Sequence, residues 1–251
     1  MPPADLEALA RLSHELLAEP TEEPTLERVV RMALEAVHSC DYAGVSLRKG
    51  RDHVETRAAS HSIVSECDAL QYELSEGPCL DAIWLGDIYV VTDTRTDGRW
   101  PTWCPRAADL GIGSILSVRL ASTSGTLGAL NMYAAAANAF GNDDVDVAHV
   151  YASNAAAALA AARTITGLES ALRTRHLIGI AQGILMQRYG LSMDRAFEVL
   201  RRYSSQTNVK LRDVASNVVT SGALPENGAT APRDGVNADA AHVEAESPLR
   251  T

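Results

Sequence analysis

The chain has 251 residues, 46% of them hydrophobic, and 22 basic against 32 acidic side chains give a net charge of −10. That length and apolar content can bury one substantial core and a smaller one. No run approaches the roughly 20 apolar residues of a membrane span, and a chain this acidic does not attract a polyanion as a whole. The N-terminus, MPPADLEALARLSHELLAEP, scatters its acids and has no basic region leading into an apolar block. It reads as neither secretory signal nor transit peptide, which predicts a cytoplasmic protein with no membrane partner. Two helices are predicted next, at about 4–18 and 25–38, the second with Thr25 as N-cap and Leu26, Val29, Val30, Ala33, Leu34 and Val37 on one side. YAGVSLR (42–48) and HVETRAAS (53–60) flank KGRD like a hairpin, and DIYVVTD, SILSVRL and TLGALNMYA add further strands. Helices are predicted at 62–74 and 102–110. The pattern places residues 1–160 in the α+β class, with a mainly antiparallel sheet of five or six strands flanked by helices.

From about Asp143 the chain loses proline and fills with strong helix formers, predicting one long connecting helix over 143–172 and beyond. Ala158, Ala161, Ile165, Leu168 and Leu172 are spaced 3, 4, 3 and 4, a heptad seam that predicts a dimerising coiled coil. A helix packed on its own domain would show the same spacing. Thr164, Thr166 and Gly167 are weak helix formers and mark the place where this helix is expected to give way. After Gly190, a left-handed stop, Ser192 caps a second helix carrying Met193, Ala196, Phe197, Leu200 and Tyr203, and a third is predicted from Asn208. Residues 173–220 then form an all-α three-helix bundle. Residues 221–251 have almost no bulky apolar side chain and predict a disordered tail.

The charge is not evenly spread. Residues 1–167 hold 12 basic and 23 acidic side chains (−11), residues 168–220 hold 8 and 4 (+4), and residues 221–251 hold 2 and 5 (−3). Only the middle segment could attract a polyanion, although arginines on helices ordinarily display a solvated face. Catalytic patterns are poor. Cys40, Cys67, Cys79 and Cys104 fit no zinc or redox spacing and read as reduced, buried thiols. His53 and His61 share no ligand spacing with another pair, and Gly111 and Gly113 precede a strand where a phosphate loop would precede a helix. The chain reads as a non-enzyme with no metal and no evident cofactor.

The stretch RTRHLIGIAQGILMQRYGLSMDRAFEVLRRYSSQTNVKLRDVASNVV resembles an ANTAR domain, the RNA-binding module of bacterial transcription antiterminators, because IGIAQGILMQRYG, AFEVLRRYS and NVKLRDVA keep that family's order and spacing. Upstream, QYELSEGPCLDA, DGRWP, LGIGSILSVRL and GALNMYA resemble the GAF sensor domains often joined to ANTAR domains in actinobacteria. The chain departs from the pattern at Gln182, where the family commonly carries lysine. The resemblance implies a dimer that binds paired RNA hairpins and hinders a competing terminator, with no required contact to RNA polymerase. Loop bases and their phosphates call for a few cations, amides and hydroxyls on an accessible backbone. The expected contacts are Arg175, Gln182, Gly183, Arg188, Arg201, Arg202, Ser204, Asn208, Lys210 and Arg212. Bundle packing is the commoner use of a glycine such as Gly183, and Asn208 could instead be spent as a cap. A GAF domain also implies a pocket for an unknown small molecule, which Gln71, Tyr72, Trp84, Trp100, Trp103, Ser117 and Asn131 could line; core packing explains aromatic residues there equally well. Two other readings remain open: a DNA-binding regulator using the last two helices as a helix-turn-helix, and a ligand-binding adaptor without nucleic acid.

Overall fold

In the computed structural model, residues 15, 16, 19, 21–50, 53–123 and 125–224 are described. The helix predicted at 4–18 and the tail predicted at 221–251 fall outside them, apart from helical Glu15 and Leu16 and residues 221–224. The chain divides into two compact units, Met1–Ala171 and Leu172–Thr251.

The first unit opens with α1 (Glu22–Ala36), whose N-cap is Thr21, not Thr25. Glu22 and Glu23 suit the positive end of the helix, and Pro24 is tolerated in a first turn whose N–H groups have no intrahelical acceptor. Thr25 is therefore inside the helix, fully buried, and its hydroxyl donates to the Thr21 carbonyl at 2.7 Å. There follow β1 (Tyr42–Arg48), β2 (Val54–Ala59), α2 (Ser62–Leu74), α3 (Pro78–Trp84), β3 (Ile88–Val91), α4 (Trp103–Asp109), β4 (Ser114–Ser122) and β5 (Gly125–Ala134). The sheet has five strands in the order β2-β1-β5-β4-β3, every neighbour antiparallel.

Strand alternation divides the sheet residues between two cores. Ala43, Val45 and Leu47 of β1, with Leu116 and Val118 of β4 and Leu130 and Met132 of β5, pack on α1 and on the first part of α5 (Asn142–Tyr189). Leu26, Val29 and Ala33 fill this core from α1, and burying one such leucine or valine stabilises the fold by about 2 kcal/mol. Tyr151 ties the two helices together by donating to the Val29 carbonyl at 2.8 Å. The opposite face carries Gly44, Ser46, Ser117, Asn131 and Tyr133 and lies under α2, α3 and α4. Gly44 is required there: a Cβ would come within 2.4 Å of Val64 Cγ1, so the helix rests directly on β1. That contact brings α2 onto the polar side of the sheet.

The break expected near Thr164, Thr166 and Gly167 does not occur, for α5 runs unbroken from Asn142 to Tyr189. Two bonds hold that stretch: the Glu22 backbone N–H donates to Thr166 Oγ1 at 3.1 Å, and Arg163 Nε donates to Glu22 Oε1 at 2.9 Å. Among the described residues no helix is long and apolar enough to cross a membrane.

In the second unit the end of α5 packs with α6 (Met193–Thr207) and α7 (Leu211–Ser221) around Ala181, Leu185, Ala196, Leu200, Val214, Ala215 and Val218. Gly190, at φ +64°, ends α5, and the Ser192 hydroxyl accepts the Arg195 backbone N–H to start α6. Asn208 is not the N-cap of the third helix. It closes the second in a left-handed conformation, φ 55°, which asparagine tolerates better than most residues, and α7 begins after Lys210.

Candidate nucleic-acid interface and sensor core

On the second unit the expected RNA contacts separate into two groups. Gln182 donates to the Met193 carbonyl at 3.2 Å, Arg188 to the Gly222 carbonyl at 3.2 Å, and Ser204 to the Val209 carbonyl at 2.6 Å. These three side chains hold the helix ends together. Arg212 is exposed and pairs with Asp213 at 3.1 Å, a contact of little energetic weight in water. Arg175, Arg201, Arg202 and Lys210 are exposed, and among the described residues none of their side chains makes a hydrogen bond or ion pair. An open groove along α6 gathers Arg201 and Arg202 with Arg195, Glu198, Val199 and Ser205. Arg195 was not among the expected contacts; it lies 3.1 Å from Glu198, its i,i+3 neighbour on the helix.

Gly183 is exposed, and outside its own stretch of helix backbone no heavy atom lies within 4 Å of the place a Cβ would take. Bundle packing therefore does not account for it. Gly179 is open in the same way, and helical periodicity puts both glycines opposite the buried Ala181 and Leu185. Within the expected seam, Ala158 is buried in the core of the first unit and is not free to meet a partner, whereas Ala161 is exposed. Ile165, Leu168 and Leu172 are 40%, 62% and 65% exposed. Met193 and Phe197, which share a helical repeat with buried Ala196 and Leu200, also remain exposed.

In the first unit the residues expected to line a pocket do not share one environment. Trp84 is at the surface with the Arg48 guanidinium 4.3 Å above its ring. Trp103 is a core residue whose indole N–H donates to the Cys67 carbonyl at 3.1 Å, and the Trp100 indole donates to Asp81 at 3.0 Å. Gln71 and Asn131 instead donate to one buried carboxyl that the sequence reading missed, Asp68 of α2, and Tyr72 and Ser117 join the same network through Ser46 and Asn131. Ser46 and Thr56 donate to its Oδ2 at 3.2 and 2.9 Å; the Asn131 amide donates to its Oδ1 at 3.0 Å, as does the Tyr133 hydroxyl. Ser117 orients Asn131 by donating to its Oδ1 at 3.0 Å, and Gln71 Oε1 accepts the Cys79 backbone N–H at 2.8 Å.

Burial pushes Asp68 up to about 6 against the pull of the donors around it. All four cysteines are buried and unpaired, and burial raises Cys40, Cys67 and Cys79 to about 12 and Cys104 to about 11. Cys79 is thus a thiol at neutral pH and a poor nucleophile.

Residues 19–160 match the GAF domain and residues 166–219 match the ANTAR domain. No curated protein matches the chain. Among solved structures, the GAF domain from a phosphoenolpyruvate-protein phosphotransferase of Coxiella burnetii is similar, with a TM-score of 0.51 and 18% identity over 65% of this chain and 96% of that one. Free methionine-R-sulfoxide reductase from Neisseria meningitidis, solved with its substrate, gives 0.50 and 17% identity over 64% and 90%. A bacteriophytochrome from the photosynthetic bacterium R. palustris gives 0.55 and 9% over 81% and 48%. At such identities these likenesses bear on the fold alone. With its GAF match over more than half its length and an ANTAR match behind it, the chain belongs to the GAF family and has the GAF–ANTAR architecture of a signal-sensing, RNA-binding regulator.

Proposed function

We propose that this protein binds paired RNA hairpins as a homodimer and causes transcription antitermination in response to a signal received by its GAF domain. The observation that carries the reading is the ANTAR-matched bundle itself, which leaves Arg175, Arg201, Arg202 and Lys210 exposed and unpaired among the described residues and gathers two of them in the α6 groove. Cations without internal partners can meet phosphates at no cost in broken ion pairs. The exposed row Ile165, Leu168 and Leu172 supports a dimer, because three large apolar side chains on one helix stripe gain most by facing a copy of themselves. Two linked bundles then engage two hairpins with an affinity beyond that of either alone.

The test is a competition at fixed salt among two-hairpin RNA, one-hairpin RNA and duplex DNA of equal length. Preference for the two-hairpin RNA is expected. Preference for duplex DNA would replace this reading with a helix-turn-helix regulator, and binding to none would leave a ligand-binding adaptor.

A further inference from the structure

Four oxygens from three elements close a ring beneath α2. Asp68 Oδ2 lies 3.2 Å from Ser46 Oγ and 2.9 Å from Thr56 Oγ1, while the Tyr72 hydroxyl lies 2.7 Å from Ser46 Oγ and 2.9 Å from Thr56 Oγ1. Four contacts need four hydrogens, and the serine, threonine and tyrosine supply three. With Asp68 ionised, Ser46 and Thr56 both donate to Oδ2 and Tyr72 donates to Ser46. The Thr56–Tyr72 contact is then two oxygens with no hydrogen between them. One proton on Oδ2 completes the circuit: Asp68 donates to Thr56, Thr56 to Tyr72, Tyr72 to Ser46 and Ser46 back to Oδ2. Around the ring each oxygen gives one hydrogen and takes one, and Ser46 Oγ accepts a further hydrogen from the Asn131 amide at 3.0 Å. The proton belongs on Oδ2, because Oδ1 already accepts from the Tyr133 hydroxyl and the Asn131 amide.

The surroundings offer no countercharge. Facing Asp68 are hydroxyls from β1 and β2, Asn131 and Tyr133 from β5, Cys67, Gln71 and Tyr72 from its own helix, and Cys79 from α3. Burial keeps these tyrosines and thiols neutral, so Asp68 alone in the cluster titrates near neutrality. We infer that the ring is a proton-binding site at the centre of the sensor domain, holding one proton on Asp68 Oδ2, and that its release loosens β2 from α2. The strand concerned is the one to yield, since β2 is an edge strand whose pairing with β1 already shifts register between Val45 and Ser46. The site is a property of the folded domain and does not rest on the RNA-binding reading.

The experiment is a carbon-13 carboxyl NMR titration of the full chain labelled at aspartate. One aspartate is expected to titrate near pH 6 and to vanish from the spectrum in Asp68→Asn. The discriminating variant is Tyr72→Phe. It removes the oxygen that makes a fourth hydrogen necessary, freeing Ser46 and Thr56 to donate to the ionised carboxyl, so the midpoint should fall by about one pH unit. Burial without the ring would leave the midpoint in place or raise it. An Asp68 midpoint in the ordinary carboxylate range, or one that Tyr72→Phe does not lower, overturns the site. Amide exchange in β2 and α2, corrected for its intrinsic pH dependence, should speed up above the midpoint in the native chain and not in Asp68→Asn; unchanged exchange overturns the loosening. Should Asp68→Asn fail to fold, the assigned titrations of the native chain and of Tyr72→Phe decide.

Discussion

Asp68 gives the sensor domain a pH dependence opposite to that of an ordinary paired carboxylate. In the fold its value is about 6 against the ordinary 3.8 of an aspartate, so below about pH 4 both states hold the proton and above the folded value neither does. In between only the folded state binds it, and stability falls as pH rises. The difference of about two units corresponds to about 3 kcal/mol lost between pH 4 and pH 7. Glu76 and Asp97 are lowered instead, through hydrogen bonds from the Thr102 and Trp103 backbone and from Arg99, and their contributions disappear as pH falls. The informative quantity is therefore the native chain minus Asp68→Asn in urea unfolding at several pH values. A native-minus-variant difference that is flat across the window would contradict this assignment. Gly183 offers a second test at this scale. With open space around the missing Cβ, Gly183→Ala should stabilise the second unit by about 1 kcal/mol in thermal unfolding, as alanine does in a helix interior. If the bare backbone serves a nucleotide or a partner helix, RNA affinity falls even as stability rises.

Among the elements, α5 and α6 carry the surfaces proposed for dimerisation and RNA binding. Replacing Ile165 and Leu168 with glutamate should leave the fold intact, because 40% and 62% of these side chains are already in water, yet should yield a monomer by light scattering. Loss of the linkage between two sites should then weaken two-hairpin binding by about 100-fold or more while barely changing one-hairpin binding. For the α6 groove, single alanine replacements of Arg195, Arg201 and Arg202 should each weaken RNA binding across sequences and reduce the salt slope by about 1 if the arginine contacts phosphate. A slope unchanged in all three would move the interface elsewhere. The regular elements were the legible part: β1 coincides with YAGVSLR and α2 with 62–74, because alternation and helical spacing are local patterns. Caps were less so. Thr25 and Asn208 have side chains suited to an N-cap, but the backbone conformation decides, and it placed one inside a helix and the other at a C-terminus. Asp68 was invisible for a different reason: its partners come from β1, β2, β5 and α2 and meet only when the sheet has formed. Ala158 and Leu168 likewise share a seam in sequence, and only the extent of the first unit's core separates them.

At the scale of the whole molecule, an acidic GAF region of charge −11 precedes an ANTAR region of +4, connected by one helix without a glycine- or proline-rich linker. Long-range repulsion should then disfavour RNA at the acidic sensor relative to the bundle, an effect that salt should weaken. A signal acting on the GAF domain can change RNA affinity only by its own differential affinity for two states of the protein. Comparison of the full chain with residues 164–221, both as dimers, reads that coupling. Tighter binding by the shorter piece would mean that the sensor holds the output in check, and equal affinities under all conditions would exclude control by the GAF domain. The central claim is antitermination through paired hairpins, and single-round transcription tests it most directly, on a template whose terminator overlaps a two-hairpin RNA selected for binding to the full chain. Read-through should rise with protein concentration and return to its basal level when either hairpin loop is substituted or when Ile165 and Leu168 are replaced together. Read-through that stays at the basal level while the RNA is fully bound would contradict the account.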